Sequence, residues 1–207
     1  RLYGDKIPST RPGFQVEISR EPLGVVGIIS PWNFPIAIPA WKAAPAMMCG
    51  NAVILKPASV TIGSAVALTE IISKQDIPKG LFNLVLGSGS DIGHKIAVHP
   101  EIAAISFTGS VQTGRQLYKD ASSTMKKMQM EMGSKNPLIV MDDADLKTAI
   151  TCAVNGAYGG TGQKCTASSR LIDHEHIYKK FIDGLVEDIT NLKVGHALVE
   201  GTQMGPV

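Results

Sequence analysis

Several features that would define a function class are missing from this 207-residue sequence. No apolar run reaches the ~18–20 residues that a membrane-spanning helix needs. Lys and Arg never occur in runs longer than two, and the net charge is only +2. A charge this small does not indicate a nucleic-acid partner. We therefore expect a soluble protein that binds neither a membrane nor a nucleic acid.

Cysteine is also scarce, with Cys49, Cys152 and Cys165 as the complete set. An odd number of cysteines makes no even disulfide framework. No signal peptide is visible, and free thiols suit a reducing compartment, so we expect a cytoplasmic protein. The chain begins with Arg1 rather than a start methionine, and the sequence near Val207 shows no sign of a natural chain end. We therefore expect a fragment of a longer protein.

The histidines show no metal-binding pattern. His174 and His176 flank Glu175 but have no further ligand beside them in the sequence. The other three resemble surface residues: His94, His99 and His196. The sequence therefore predicts no metal site.

The pattern of apolar residues predicts an α/β fold with a Rossmann-like parallel sheet. Four short, continuous apolar runs are typical of strands covered on both faces: Val25–Ile29, Ala52–Leu55, Phe82–Leu86 and Ala103–Phe107. Helical patterns separate them, at 36–49, 62–75 and 91–98. Strand–helix–strand steps of 20–30 residues favour right-handed crossovers and a parallel sheet.

The ends of the chain differ from this scheme. Residues 1–22 contain the alternating segment Phe14–Arg20, which predicts a half-exposed antiparallel strand able to pair with another chain or with a missing segment. Residues 23–132 hold the predicted sheet. A second unit, 133–207, carries a strand at 138–141 and amphipathic helices at 146–157 and 177–192. Cys152 adjoins the apolar stripe of the first of these helices, so we expect it in the core.

Cys165 is the first candidate for chemistry. It follows Lys164 in a polar segment that is interrupted by glycines, Gly160–Ser169. A thiol attacks as thiolate, and a nearby cation and free backbone N–H groups lower its pKa and leave it accessible. The alternative is that Cys165 is a small buried apolar side chain.

Two turns are candidates for binding phosphate. Gly87–Gly93 follows a strand and opens a helix, so its N–H groups can face an anion. Its spacing is G-x-G-x-x-x-G rather than the usual dinucleotide fingerprint, and a plain strand-to-helix turn explains it equally well. Thr108, Gly109 and Ser110 form a similar turn after the next strand. Two such turns on neighbouring parallel strands indicate one crevice.

The end of the second strand favours a phosphorylated cofactor. Nucleotide-binding folds usually place an acidic residue there, but no Asp or Glu occurs from Pro22 through Thr69. Lys56 and Ser59 occupy this place instead and would accept a 2′-phosphate. NADP is therefore favoured over NAD, although Lys56 as a solvated loop cation is the plainer alternative.

Two further segments offer polar groups. Asn33 lies between Pro31 and Pro35, where its amide could stabilise an oxyanion, or where the prolines make only a rigid loop. Glu131 ends an apolar strand, where partial burial would raise its pKa and suit it to activate water. A solvated carboxylate is the alternative for Glu131.

Together these motifs resemble the aldehyde dehydrogenase superfamily. The resemblance covers essentially the whole chain and rests on five segments in that family's order: Pro31–Pro35, Lys56–Ser59, Phe107–Ser110, Glu131–Lys135 and Gly162–Cys165. It implies a dinucleotide-binding domain at 23–132, the first part of a second α/β catalytic domain at 133–207, and an arm at 1–22 that assembles a homodimer or homotetramer.

The resemblance also implies residue roles. Cys165 would be the nucleophile, Asn33 with the Cys165 N–H the oxyanion hole, and Glu131 the base that activates the hydrolytic water. The implied NADP or NAD contacts are Trp32, Asn33, Lys56, Pro57, Ala58, Ser59, Gly109, Ser110 and Met132. Ser59 replaces the Glu of many NAD-preferring members. Ser134 replaces the second glycine of the Glu-x-Gly-Gly-Lys motif, which adds a Cβ near Glu131.

Within the superfamily the chain looks most like α-ketoglutaric semialdehyde dehydrogenases, with succinate-semialdehyde dehydrogenases close behind. The segments that carry this likeness are 20–24, 35–42 and 164–170. Both groups oxidise an aldehyde that bears a distal carboxylate. The alternatives are a CoA-acylating dehydrogenase or thioesterase, which needs no base such as Glu131, and a non-catalytic relative on the same scaffold.

Overall fold

The computed structural model describes residues 3–206. The chain forms two compact units, Arg1–Met132 and Gly133–Val207, and each is described by itself. No helix in the described part of the chain has the length and apolarity needed to cross a membrane.

A five-stranded parallel sheet forms the centre of the first unit. Its strands are β3 (Val25–Ile29), β4 (Ala52–Lys56), β5 (Phe82–Leu84), β6 (Ile102–Gly109) and β7 (Lys127–Met132). They lie in the order β5-β4-β3-β6-β7, and every pair is parallel. The chain runs outward from β3 to β5 and then returns to the other side of β3 with β6. The α/β class and the parallel sheet predicted from the apolar runs are confirmed.

Helices cover both faces of this sheet. They are α1 (Ala37–Met48), α2 (Ile62–Ser73), α3 (Gly89–Val98) and α4 (Val111–Ala121). Ala43 of α1 and Ala65 of α2 pack in one buried cluster with the strands, whereas Ile96 of α3 and Leu117 of α4 pack in another. Burial on both faces explains why the sequences of β3, β4 and β6 are mostly apolar rather than alternating, whereas the edge strand β7 alternates.

A short hairpin precedes the sheet. It pairs β1 (Asp5–Pro8) with β2 (Gln15–Ile18) in antiparallel register, with Asp5 opposite Ile18. The segment Phe14–Arg20 therefore contains the predicted antiparallel strand, and its partner β1 belongs to the same chain. All eight strand residues are exposed.

The second unit pairs β8 (Asn136–Val140) with β9 (Ser168–Asp173) in parallel, and carries α5 (Leu146–Ala157) and α6 (Tyr178–Thr190). Its core contains Val140, Ala153, Val154, Ile177, Phe181 and Leu185. Cys152 is exposed, so the expectation that it lies in the core is wrong. It is one helical position away from the buried Ala153, and at about 100° per residue that step carries a side chain off the apolar stripe.

Candidate active site

The site residues predicted in the first unit lie at the carboxyl ends of its parallel strands. Lys56, the last residue of β4, is in register with Ile29, the last residue of β3. On the other side, Gly109 of β6 is in register with Met132 of β7. The return of the chain across β3 places a topological switch point between β3 and β6, where open α/β sheets bind their ligands.

A bend at residues 31–36 connects β3 to α1. Asn33 is half-buried there, whereas Trp32 is 48% exposed. The first helical turn is closed by the Ile38 N–H, which donates to the Phe34 carbonyl at 3.2 Å. The two prolines and this turn fix the backbone that carries Asn33 at the strand end.

Lys56 is buried rather than solvated. It is 4% exposed, and burial lowers the pKa of its ammonium group. Within residues 3–206 no carboxylate lies within 4.0 Å of its Nζ. Pro57 is buried, Ala58 is half-buried, and Ser59 is exposed at the start of the short 3-10 turn Ser59–Thr61. This strand end therefore presents a positive charge and no acidic group.

Both glycine-containing turns form helix N-termini. The expectation that they follow neighbouring strands is wrong, because β4 and β3 lie between β5 and β6. Ser88 Oγ accepts from the Asp91 N–H at 3.1 Å and caps α3. Ser110 Oγ accepts from the Thr113 N–H at 3.1 Å and caps α4. A cleft of about 490 Å³ lies between these helices, lined by Gly89, Ser90, His94, Gln112, Thr113, Gln116, Leu117 and Asp120. Two helix N-termini at one cleft suit an anionic ligand.

Lys56 also lies close to this cleft. Its Nζ is 4.0 Å from the point that a Cβ on Gly89 would occupy, and Gly89 lines the cleft. Gly109 has a separate steric requirement, since a Cβ there would lie 2.6 Å from Phe107 Cζ. A larger residue at 109 would displace the buried Phe107 ring at the end of β6.

Glu131 belongs to a hydrogen-bonded cluster that the sequence analysis missed. Gln129 Nε2 donates to Glu131 Oε1 at 2.9 Å, and Gln129 Oε1 accepts from Lys42 Nζ at 2.7 Å. Ser106 Oγ donates to the same amide oxygen at 2.6 Å and lies 2.8 Å from Lys42 Nζ. Lys42 is the single charged residue of the apolar helix α1, which is the one sequence signal for it.

The environment of this cluster differs from the sequence-based expectation. Glu131 is exposed on β7 rather than partly buried. Burial lowers the pKa of Lys42, and the nearby charge of Glu131 partly opposes that effect. Ser134 is exposed, and β7 keeps its regular pairing up to Met132, so the extra Cβ at position 134 does not disturb the strand that carries Glu131.

Cys165 lies in the second unit, on a loop with an unusual backbone. Gly160, Thr161 and Gly162 have φ values of 61°, 59° and 69°. A Cβ on Gly162 would lie 2.6 Å from the Ala157 carbonyl oxygen, so the turn requires glycine there. Thr161 adopts a conformation rare for a β-branched residue. These turns end at an exposed Cys165 thiol, so the alternative of a buried cysteine is wrong.

Asn136 holds this loop and was also missed from the sequence. Its Nδ2 donates to the Cys165 carbonyl at 2.7 Å and to the Ala167 carbonyl at 3.2 Å. Nearby, Arg170 Nε donates to the Lys135 carbonyl at 3.0 Å. The start of β8 thus fixes the backbone around the thiol.

Comparison with known proteins identifies the family. The sequence model of the aldehyde dehydrogenase family matches residues 1–207. The chain therefore belongs to the aldehyde dehydrogenase family. Alpha-ketoglutaric semialdehyde dehydrogenase of Bacillus subtilis is 45% identical over 207 residues, which are 100% of this chain and 42% of that protein.

Solved structures show the same fold. An NADP-dependent enzyme of E. coli superposes with a TM-score of 0.96 at 37% identity, covering 100% of this chain and 43% of that one. Betaine aldehyde dehydrogenase from Staphylococcus aureus, in complex with NAD⁺, gives a TM-score of 0.95 at 38% identity over 99% of this chain and 41% of its own. The chain thus spans less than half the length of these relatives.

Proposed function

We propose that the whole protein oxidises an aldehyde with a distal carboxylate to the corresponding acid, with NADP as the favoured cofactor. The observation that carries this proposal is the exposed Cys165 thiol on a loop of left-handed turns, in a chain that belongs to the aldehyde dehydrogenase family along its full length. A structural cysteine needs no such loop, whereas a nucleophile must be reachable by substrate.

The first unit fits a dinucleotide. The cleft between α3 and α4 has the volume for a base and ribose, and the capped N-termini of these helices favour phosphate oxygens. The residues that would hold the cofactor are Trp32, Asn33, Lys56, Pro57, Ala58, Ser59, Gly109, Ser110 and Met132. When bound, the nicotinamide accepts a hydride from the carbon under attack.

Lys56 supports the preference for NADP. Its ammonium group is buried beside the cleft with no carboxylate partner within 4.0 Å in the described chain. A 2′-phosphate would compensate the desolvation that this group pays. Ser59, exposed at the same strand end, adds a hydroxyl donor where a carboxylate would repel the phosphate.

The reaction begins at Cys165. Its thiolate attacks the aldehyde carbonyl and forms a C–S bond, which gives a thiohemiacetal. Asn33 and the Cys165 N–H stabilise the oxyanion that develops. Loss of hydride from the same carbon then leaves a thioester on the sulfur.

Glu131 completes the cycle. Its carboxylate takes a proton from water, the resulting hydroxide adds to the thioester carbonyl, and the thiolate leaves as the acid is released. Gln129 donates to Glu131 at 2.9 Å and is itself held by Lys42 at 2.7 Å. In this proposal Gln129 positions the carboxylate that acts on the water.

The units and the arm have separate tasks in this proposal. Residues 23–132 bind the dinucleotide, and 133–207 form the first part of the catalytic domain. The arm, 1–22, joins subunits of a homodimer or homotetramer. Its strands expose Ile7, Val16 and Ile18, which another surface would cover.

The test is NADPH formation by the whole protein with α-ketoglutaric semialdehyde and with succinic semialdehyde. We expect turnover in the wild type, none in Cys165→Ala, and full turnover in Cys152→Ala, since Cys152 is also exposed but lies on α5. NADP binding should survive in both variants. Activity retained in Cys165→Ala would remove the nucleophile assignment, and acyl-CoA as the product would favour an acylating enzyme.

A further inference from the structure

Three metal-ligating side chains meet at the carboxyl end of the small sheet in the second unit. Asp142 follows β8, and His174 and His176 follow β9. Each offers one ligand atom, and these atoms lie within 4.8 Å of one another. We propose that Asp142, His174 and His176 bind a divalent transition-metal ion of the Zn²⁺ class.

The fold explains why the sequence did not indicate this site. Asp142 is far from the two histidines in the chain, but β8 and β9 are parallel neighbours and Val140 is in register with Asp173. The His174 N–H donates to the Val140 carbonyl at 3.0 Å, which ties the two strand ends together. The prediction that His174 and His176 have no further ligand considered only their sequence neighbours.

The distances suit a metal after small side-chain rotations. Zn–N and Zn–O bonds of about 2.0–2.2 Å in a tetrahedral site place ligand atoms roughly 3.4 Å apart. Asp142 and His176 are exposed and His174 is half-buried, so these rotations meet little resistance from packing. His174 Nδ1 accepts a long hydrogen bond of 3.3 Å from the His176 N–H. This weak bond would be lost if His174 bound a metal through either of its ring nitrogens.

The donor set decides the class of ion. Two imidazoles and a carboxylate suit zinc, copper or nickel, whereas magnesium and calcium prefer oxygen ligands alone. Three protein ligands leave coordination positions for water.

The surrounding charge is negative. Glu175 Oε1 lies 4.0 Å from His176 Nε2, and Asp143 follows Asp142 directly. One carboxylate oxygen of Asp173 is buried without a hydrogen-bond partner among residues 3–206. No Lys or Arg forms an ion pair with any of these carboxylates in the described chain. An approaching cation would therefore be attracted rather than displaced.

The site lies at the opposite end of β9 from the Cys165 loop. Six residues of strand separate them, roughly 17 Å at about 3.3 Å per residue. The proposed ion thus takes no part in the thiol chemistry, and a test must separate the two because thiolates also bind zinc.

The experiment is calorimetric titration of Zn²⁺ into the chelator-treated whole protein carrying Cys152→Ser and Cys165→Ser. We expect one Zn²⁺ to bind per chain. His176→Ala and Asp142→Asn should each reduce the Zn²⁺ affinity at least about tenfold, since even the loss of a residue that only supports a metal ligand reduces metal affinity 10- to 100-fold. His196→Ala is the matched control. Its Nδ1 accepts the same kind of local bond, from the Leu198 N–H at 3.2 Å, but among residues 3–206 it belongs to no such cluster.

Three results would overturn the proposal. They are no stoichiometric heat in the reference protein, unchanged affinity in both His176→Ala and Asp142→Asn, and an equal loss in His196→Ala. Circular dichroism of each metal-free variant establishes that any loss of binding occurs in a folded protein.

Discussion

Lys42 Nζ and Gln129 Oε1 lie 2.7 Å apart, which joins a helix on the sheet surface to the strand that carries Glu131. Because the amide oxygen accepts from Lys42, the amide nitrogen is turned toward Glu131, to which it donates at 2.9 Å. The ammonium group thus sets the orientation of Gln129, and Gln129 sets the position of the proposed base. Hydrogen bonds to charged groups are among the stronger ones in proteins.

Replacing Gln129 should therefore affect both stability and turnover. In Gln129→Met the half-buried Lys42 loses a partner, so we expect a stability loss of about 1–3 kcal/mol by denaturant unfolding. We also expect kcat to fall about tenfold with a smaller change in KM, because the effect falls on hydrolysis. Gln75→Met is the control, since Gln75 is exposed just after α2 and its side-chain amide donates to the Ile71 carbonyl. Equal kcat values in the two variants would remove Gln129 from the mechanism.

Lys56 should lower the stability of the folded protein while it contributes to NADP binding. Burial lowers the pKa of Lys56 in the folded protein below the ordinary 10.5. Just below pH 10.5 the unfolded chain therefore binds more protons than the folded protein, so the free energy of unfolding rises with pH in that range. Lys56→Met should raise Tm by roughly 1–3 °C near pH 7 while it weakens NADP binding. The gain in Tm should shrink as the pH approaches 10.5. A loss of Tm, or the same gain in the exposed control Lys74→Met, would contradict the account of a desolvated ammonium.

Ser59 offers a direct test of cofactor choice. In Ser59→Glu a carboxylate would stand beside Lys56, where it repels a 2′-phosphate and accepts from ribose hydroxyls. We expect the ratio of kcat/KM for NADP over NAD to fall by about tenfold or more, a difference of about 1.4 kcal/mol. Ser59→Ala separates loss of the hydroxyl from gain of charge. An unchanged ratio in Ser59→Glu would place the 2′-phosphate elsewhere.

The Cys165 loop should tolerate no side chain at position 162. Gly162→Ala forces a Cβ to within 2.6 Å of the Ala157 carbonyl oxygen at a φ of 69°, so the loop must move. We expect activity to fall at least about tenfold and the rate of Cys165 alkylation to change. Gly63→Ala is the control, since a Cβ there meets nothing within 4 Å and helix α2 should gain about 0.5–1 kcal/mol. If Cys165 is alkylated at the wild-type rate in Gly162→Ala, the loop accommodates the methyl group.

The sequence predicted the central strands of the first unit well because β3, β4 and β6 are buried on both faces. Val25–Ile29 and Ala52–Lys56 read as continuous apolar runs, a pattern that needs no knowledge of neighbours. Strand β9 was missed because Ser168–Asp173 is half-exposed and polar in composition. Cys152 was misplaced because a residue at the border of an apolar stripe can face either way.

The sequence predicted site residues only where the residue type itself is unusual for its position. Cys165 stood out as a thiol among glycines, and Lys56 as a cation where folds of this class carry an acid. Gln129 is held by Lys42 and Ser106, which lie 87 and 23 positions away, and Asn136 binds the Cys165 carbonyl 29 positions away. Such pairings depend on strand register and helix placement, which a single sequence does not reveal.

In the proposed mechanism Cys165 carries the substrate and Glu131 releases it. The most direct measurement is rapid mixing of the Glu131→Gln variant of the whole protein with NADP and a semialdehyde, followed by mass spectrometry of the protein. We predict a burst of about one NADPH per chain that then stalls, with Cys165 bearing the aldehyde less two hydrogen atoms, since acylation no longer leads to hydrolysis. Steady turnover at the wild-type rate, or an adduct on any other residue, would contradict the account.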